Sequence, residues 1–216
     1  MGLFQGQATI HVIWRAAIDG LVCYGPDREG AETFVALDRW LAPGSQTPPD
    51  DPAVELARRY LAAYGPATRE DFLAWCGLPR VVVGRAWAAI RDELVEVETP
   101  YGQMWLLAGQ LSRPTDMDVV RLLPSFDSVW LGYRDHAPLI DPPLVKRVFP
   151  GGGIIRPLVF AAGQLIGTWS RRATRRGIDV SVDLFQAVDD DRLEAAVKDF
   201  GAFVRQPARL VKRTQT

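Results

Sequence analysis

Between residues 51 and 107 the spacing of the apolar positions divides the chain into five elements. Val54, Ala57, Leu61 and Tyr64 recur at helical intervals behind Asp51-Pro52, a capping residue followed by proline at the first helical position. Gly65-Pro66 ends that run. Thr68-x-x-Asp71 has the form of a capping box, with aspartate in the place usual for glutamate. Phe72, Leu73 and Trp75 then provide apolar surface, Gly77 a left-handed stop and Pro79 a new start. The third run, residues 80–93, carries Val83, Ala86, Trp87, Ile90 and Leu94 on one stripe, leaving Arg80, Arg85 and Arg91 off it. From Leu94 the period falls to two: LVEVE alternates, Pro-Tyr-Gly turns, and QMWLLA returns. Three helices and a hairpin in this order predict a winged helix, in which the second helix stops at Gly77 so that the third can cross it.

Part of this pattern occurs twice. WRAAIDGLV (14–22) and WAAIRDELV (87–95) align at a constant offset, 87 − 14 = 73 residues. Trp14 matches Trp87, Asp19 matches Asp92 and Leu21 matches Leu94. Residues 8–37 therefore predict the last helix and wing of an earlier winged helix. Its first two helices need about the 27 residues that separate Ala53 from Arg80, and seven residues precede Ala8, so the chain reads as beginning inside a domain. Ile10, Ile13, Trp14 and Ala17 would then lack their covering helices. They predict a surface that docks on the rest of the chain, on a protein partner or on another copy, or else a poorly ordered segment.

Beyond Asp118 the texture is that of strands: VVRLL, IIRPLVFA, QLIGTWS and IDVSVDLF, with AAGQ as a hairpin turn. DDDRLEAAVKDFGAFV (189–204) is an amphipathic closing helix with Leu193, Ala196, Val197, Phe200, Phe203 and Val204 inward, and RLVKRTQT reads as a frayed basic tail. The predicted fold class is α+β. It comprises a partial winged helix over residues 1–45, a complete winged helix over 46–112, and a small mostly-β, barrel-like domain with a C-terminal helix over 113–216.

Composition narrows the function classes. APGSQTPPDDP (42–52) is a linker or long loop. The longest apolar stretch, GGGIIRPLVFAAGQLIG, is interrupted by Arg156 and by glycines, so no membrane span and no membrane partner are expected. The N-terminus has no basic-then-apolar signal pattern, and the two cysteines, Cys23 and Cys76, suit a reducing cytoplasm. Net charge is −1, unevenly divided. Residues 1–117 hold 10 Lys/Arg against 15 Asp/Glu, a net of −5, and residues 118–216 hold 15 against 11, a net of +4. A polyanion would meet the C-terminal half.

No phosphate-loop, zinc-protease, nucleophile-elbow or dinucleotide glycine motif is present, and no cofactor is expected. His11 and His136 each lack a neighbouring second ligand, so no metal site is expected. The glycines 151–153 read as a turn. Asp127 and Asp135 are the carboxylates nearest a motif. Each is a general-base candidate, against which Asp127 reads as a helix cap after Pro124. YRDHAP places Arg134 and His136 in a polar stretch where a binding residue fits; a surface or capping histidine is the other reading. SRRATRR puts Arg171, Arg172, Arg175 and Arg176 at a strand end and its loop, either to follow a phosphate backbone or as a solvated turn.

Five segments carry a resemblance: LARRYLAAYGPATREDFLAWCGLP, ELVEVE, RLLPSFDSVWLGYRDHAPLI, KRVFPGGGIIRPLVF and GQLIGTWSRR. With them the chain resembles, over roughly residues 8–205, the winged-helix DNA-binding proteins of the AlkZ-like DNA glycosylase type. The resemblance implies tandem winged helices and a β-barrel domain around double-stranded DNA, in a cytoplasmic, nucleoid-associated protein. It further implies excision of alkylated purines or unhooking of interstrand crosslinks by a Gln-x-Gln or Gln-x-Asp pair in the first winged helix. Gln5 and Gln7 of LFQGQ have that spacing. Glycine replaces the apolar middle residue, however, and the pair lies just before the helix of the partial copy. The expectation is a DNA-binding chain without the catalytic motif, inactive alone. The alternatives are a non-catalytic winged-helix module that binds DNA or a protein partner, and a fragment with no independent role.

Overall fold

The computed structural model describes residues 7–42, 49–111 and 119–215. It divides into two units, Met1–Asp50 and Asp51–Thr216.

The first unit holds α1 (Gln7–Ile18), an antiparallel hairpin of β1 (Val22–Arg28) and β2 (Ala31–Ala36), and the short α2 (Leu37–Trp40). Glu29 and Gly30, at φ 53° and 80°, make the tight turn. Two consecutive positive φ values match the right-handed twist of a two-stranded ribbon.

The second unit opens with α3 (Pro52–Tyr64), α4 (Arg69–Cys76) and α5 (Arg80–Ala89), then the hairpin β3 (Leu94–Thr99) and β4 (Gly102–Leu107). Each boundary has its expected cause. The Asp51 carboxylate accepts from the amides of Ala53 and Val54, the Thr68–Asp71 capping box is complete, and Gly77 closes α4 at φ 64°. The helix expected over 80–93 stops earlier. α5 ends at Ala89, and residues 91–93 form a separate single turn that aims the chain into β3. The core between these elements contains Ala57, Tyr60, Leu61, Phe72, Trp87 and Ile90. Tyr60 is buried although it lies beside the predicted stripe, because its hydroxyl finds a partner in the Gly132 carbonyl at 2.7 Å.

That bond begins a seam. The Tyr133 hydroxyl donates to the Tyr64 carbonyl at 2.6 Å, and the Arg134 amide donates to Asp71 at 2.9 Å. Gly132 permits the approach, since a Cβ there would lie 2.4 Å from the Tyr64 ring. Residues 132–134 are thereby fastened to the start of α4 and the end of α3.

The remaining elements are β5 (Val120–Leu123), α6 (Ser128–Leu131), α7 (Val145–Val148), β6 (Leu158–Ala161), β7 (Gln164–Thr174), β8 (Gly177–Leu184), α8 (Asp190–Phe203) and β9 (Ala208–Gln215). The strands form one sheet in the order β5-β6-β7-β8-β9, antiparallel except for the last pair. The sheet is open, not a closed barrel. α8 packs against both β5 and β9, so a helix spans the gap that a barrel would close with hydrogen bonds. Trp169, Val180, Val182, Leu193 and Val197 form the core beneath it. A third core, around Trp130, Ile140, Val148 and Leu158, covers the other face near β6.

Three local expectations are corrected. The tail read as frayed is β9, held by parallel pairing to β8, by Leu210 packed on the core and by Arg213 donating to the Val188 carbonyl. Phe203 was placed inward but is 86 % exposed, because Phe200 and Val204 continue the inward stripe and the last residue of α8 falls beside it. The strand expected in IIRPLVFA is confined to residues 158–161, where it begins directly after Pro157.

Candidate nucleic-acid interface

α8 covers one face of the sheet, and the other face is open over β7, β8 and β9. Its side chains form rows across the three strands. Arg172 stands beside Asp179 and Asp179 beside Arg209; Ser170, Ser181 and Lys212 form the next row, and Thr168, Asp183 and Thr214 the third. Arg209 and Lys212 are three residues apart and would face opposite ways in a regular strand. The irregularity between Val180 and Ser181, where Val211 is the extra residue in β9, returns Lys212 to the face of Arg209.

Asp179 is 5 % exposed. Its two oxygens accept from Arg209 Nε at 2.8 Å and from Arg172 at 3.1 Å. The hydrogen bonds from Arg209 and then Arg172 hold its carboxyl below the usual carboxylate range. The side chains of Arg172 and Arg209 remain 80 % and 64 % exposed, so each guanidinium keeps N–H groups directed to solvent. Asp183 accepts from Arg147 at 2.7 Å, and the Arg147 guanidinium lies 4.3 Å from the centre of the Phe185 ring. Arg156 and Lys212 line the depression of about 430 Å³ between these rows. Arg147, Arg156, Arg172, Arg209 and Lys212 against Asp179 and Asp183 leave this face three charges positive, with hydroxyls between the cations. Such a surface has donors for phosphate oxygens and little with which to distinguish base edges.

The expected site residues are distributed as follows. Arg172 lies on the open face, and Arg175 and Arg176 form the turn that follows it. Arg171 points to the α8 face, with its guanidinium 5.9 Å from the Phe200 ring centre. Arg80 and Arg134 come together on Glu70, at 3.0 and 4.0 Å, with Arg69 as a third partner. Hydrogen bonds from Arg80 and then Arg69 hold the Glu70 carboxyl below its ordinary value. Arg85 is paired with Asp51 at 2.6 Å, and Arg91 lies 6.0 Å from the Trp105 ring centre. His136 stacks on Trp130 at 3.8 Å and 8°, with Nε2 at 3.0 Å from the Trp130 carbonyl. Asp127 caps α6 through the Val129 amide, and Asp135 accepts from the Ala137 amide. Gln5 lies outside the described residues, and Gln7 is the first residue of α1.

Arg147, Arg156, Arg209 and Lys212 were not anticipated. A bulge hides the parity of Arg209 and Lys212, and a tertiary fold brings Arg147 and Arg156 to the sheet. Only Ala208-Arg209-Leu210 alternate before the bulge, too short a run to mark a strand. Among the described residues no group of three His, Cys, Asp or Glu side chains could hold a metal ion, and no helix is long and apolar enough to cross a membrane.

Comparison with known proteins places this mixed α+β chain in a family. A model of the AlkZ-like DNA glycosylase family matches residues 3–203. An interstrand DNA cross-link repair glycosylase from Streptomyces sahachiroi is 32 % identical over 177 residues, covering 76 % of this chain and 46 % of that protein. The solved structure of the Streptomyces sahachiroi DNA glycosylase AlkZ superposes with a TM-score of 0.76 at 25 % identity, over 97 % of this chain and 59 % of the other. The chain thus spans about half the length of these relatives. It belongs to the AlkZ-like DNA glycosylase family.

Proposed function

We propose that this chain is the DNA-holding portion of a DNA glycosylase-like repair activity, acting on double-stranded DNA. On this reading residues 46–112 are a winged helix, with α4 and α5 as the helix-turn-helix and the β3–β4 hairpin as the wing, and residues 113–216 form a phosphate-binding sheet domain. The observation that carries the reading is the row Arg172–Asp179–Arg209. A buried carboxylate fixes two exposed guanidinium groups on one face, beside Lys212 and Arg156. α5 offers less for reading bases, since Arg80 and Arg85 already serve Glu70 and Asp51. The wing turn, TPYG, carries no cation. The winged helix therefore orients the duplex more than it selects a sequence. The reading places the hydrolytic residues elsewhere: Asp127 and Asp135 are committed to backbone amides, and the Gln5–Gln7 pair has glycine at its centre.

Duplex binding measured across salt concentration tests the assignment. Each phosphate contact contributes a slope of about 0.9. Replacing both Arg172 and Arg209 with alanine is expected to lower the slope by roughly two such contacts. An unchanged slope would reject the sheet face as the phosphate site.

A second reading, association with a protein partner or a second copy, is favoured by residues 7–42. Trp14 is 51 % exposed, Leu21 63 % and Ile18 80 %. Light scattering over a concentration series distinguishes it, because self-association through this face is abolished by Trp14→Glu.

A further inference from the structure

β7 extends past its neighbour on one side. β6 pairs with it only as far as Thr168, and the Trp169 amide then donates to the Pro157 carbonyl at 3.1 Å. From Ser170 to Thr174 the strand pairs with β8 alone. The two faces of the sheet therefore communicate around an open strand edge. On the far side of that edge lies a second groove, of about 530 Å³, between β7 and the end of α8. Trp169 and Leu122 line it with Phe200 and Phe203, and Arg171 is at its rim. Pro157, Trp169 and Ser170 line both this groove and the basic depression, so the two lie on either side of the same strand edge.

The two halves differ in chemistry. One is cationic and hydroxyl-bearing; the other is aromatic, with a single arginine. Phe203 is the most exposed of the protein's large apolar side chains among the described residues, at 86 %. It stands at the mouth of the groove, free to lie against an entering ring. The Trp169 indole is already fixed, its Nε1 donating to the Leu123 carbonyl at 2.7 Å and its ring edge-on to Phe200 at 5.0 Å. A volume of this size lies within the range of small-ligand sites, about 300–1,000 Å³.

We propose that this composite groove takes an unpaired nucleotide. The base stacks in the aromatic half against Phe203 and beside the Arg171 guanidinium, and the flanking phosphates lie on the cationic half near Lys212 and Arg172. Aromatic faces accept any base, and the strand edge lets a single strand pass from one face to the other without crossing the sheet. Charge complementarity selects this occupant over an apolar peptide: across the edge residues Pro157, Trp169 and Ser170 the groove adjoins a face three charges positive. The proposal rests on the DNA-holding reading above and adds a preference for DNA with an unpaired segment.

The test compares two DNAs of equal length, one fully paired and one with a short single-stranded gap carrying 2-aminopurine. The full chain is expected to bind the gapped DNA about tenfold more tightly, the gain from stacking one base, and to change the 2-aminopurine fluorescence. Phe203→Ala is expected to remove both the preference and the fluorescence change while leaving paired-duplex affinity as it was, and Phe203→Trp to restore them. Because Phe203 is exposed, neither variant disturbs the core. Arg172→Ala with Arg209→Ala lowers affinity for both DNAs together. Equal binding of the two DNAs with unaltered fluorescence overturns the groove assignment and leaves the DNA-holding reading standing, with an apolar peptide segment as the remaining occupant. Failure to bind either DNA overturns both.

Discussion

Replacing Asp71 with alanine is expected to destabilise the helical part of the second unit more than any other single cap removal in it. Asp71 is 5 % exposed. Its Oδ2 accepts from the Thr68 amide at 2.9 Å and the Thr68 hydroxyl at 2.6 Å, and its Oδ1 accepts from the Arg134 amide at 2.9 Å. The Thr68 hydroxyl in turn accepts from the Asp71 amide at 3.1 Å. Thr68→Ala removes only the two bonds made by the hydroxyl, an ordinary cap loss of about 1 kcal/mol. Asp71→Ala removes three bonds, one of them tying α4 to a segment 63 residues away. A hydrogen bond to a charged group is worth about 1.5–3 kcal/mol, and donors left without a partner add to the loss. Allowing for overlap among bonds to one carboxylate, the expected cost is about 3–4 kcal/mol.

Urea unfolding followed by tryptophan fluorescence measures this, since Trp75, Trp87 and Trp105 all lie in the unit. With a slope of about 2 kcal/mol per molar urea, the Asp71→Ala midpoint falls by roughly 1.5–2 M and the Thr68→Ala midpoint by about 0.5 M. The double variant costs less than the sum, because the two residues share a bond. Amide exchange at Arg134 separates the long-range bond from the cap. It accelerates in Asp71→Ala and stays slow in Thr68→Ala. Equal midpoint shifts in the two single variants, or unchanged exchange at Arg134, would refute the claim that Asp71 joins the two segments.

Further outcomes follow from individual contacts. Burial raises the Tyr133 hydroxyl to about 12, so its contribution is complete below the ordinary tyrosine pKa of about 10 and is lost as pH rises to about 12; Tyr133→Phe should flatten alkaline melting over that window. Asp179 has the opposite sign: the bonds from Arg209 and Arg172 depress its pKa, so its contribution is present above about pH 4 and lost as pH falls through the depressed value, a loss that Asp179→Asn removes from acid melting curves. Gly177→Ala should unfold the β8–β9 junction, because φ is 127° and a Cβ would lie 2.1 Å from the Pro207 carbonyl oxygen; thermal melting should drop by many degrees. The chain alone should release no 7-methylguanine from alkylated DNA beyond the uncatalysed rate, and release abolished by Gln5→Ala or Gln7→Ala would restore the catalytic pair.

Much of the helical part of the second unit was legible because local chemistry there agrees with packing. Asp51-Pro52, Thr68-x-x-Asp71 and Gly77 each act within a few residues, and each does so in the structure. The same holds for two turns of the form Thr-x-x-Gly. In 99–102 and again in 174–177 the threonine hydroxyl accepts from the third residue's amide and donates to the glycine carbonyl. The sheet face was less legible. Its rows depend on a bulge in β9, on a parallel pairing that brings residue 209 beside residue 179, and on Arg147 and Arg156 arriving from another segment. No local period encodes such a meeting. SRRATRR shows the complementary error: its four arginines are adjacent in sequence, yet strand alternation sends Arg171 to the α8 face and Arg172 to the open one.

The repeat at offset 73 separates what local sequence does from what packing does. α1 and the β1–β2 hairpin form as α5 and the β3–β4 hairpin do, with strands entering at Val22 and Leu94. Trp87 and Trp14 hold the same place in the two copies, yet Trp87 is 6 % exposed and Trp14 51 %. The difference lies in their neighbours. Phe72 of α4 and Trp105 of β4 stand 6.1 and 6.3 Å from the Trp87 ring, whereas Val35 holds the register position of Trp105, opposite Cys23 as Trp105 is opposite Glu96, and among the described residues the ring beside Trp14 is His11 at 5.4 Å. An apolar stripe thus states that a helix face meets something, without saying what. For α5 the answer is α3 and α4. For α1 no aromatic side chain of the described hairpin covers Trp14, so the stripe that forms core in one copy stays exposed in the other.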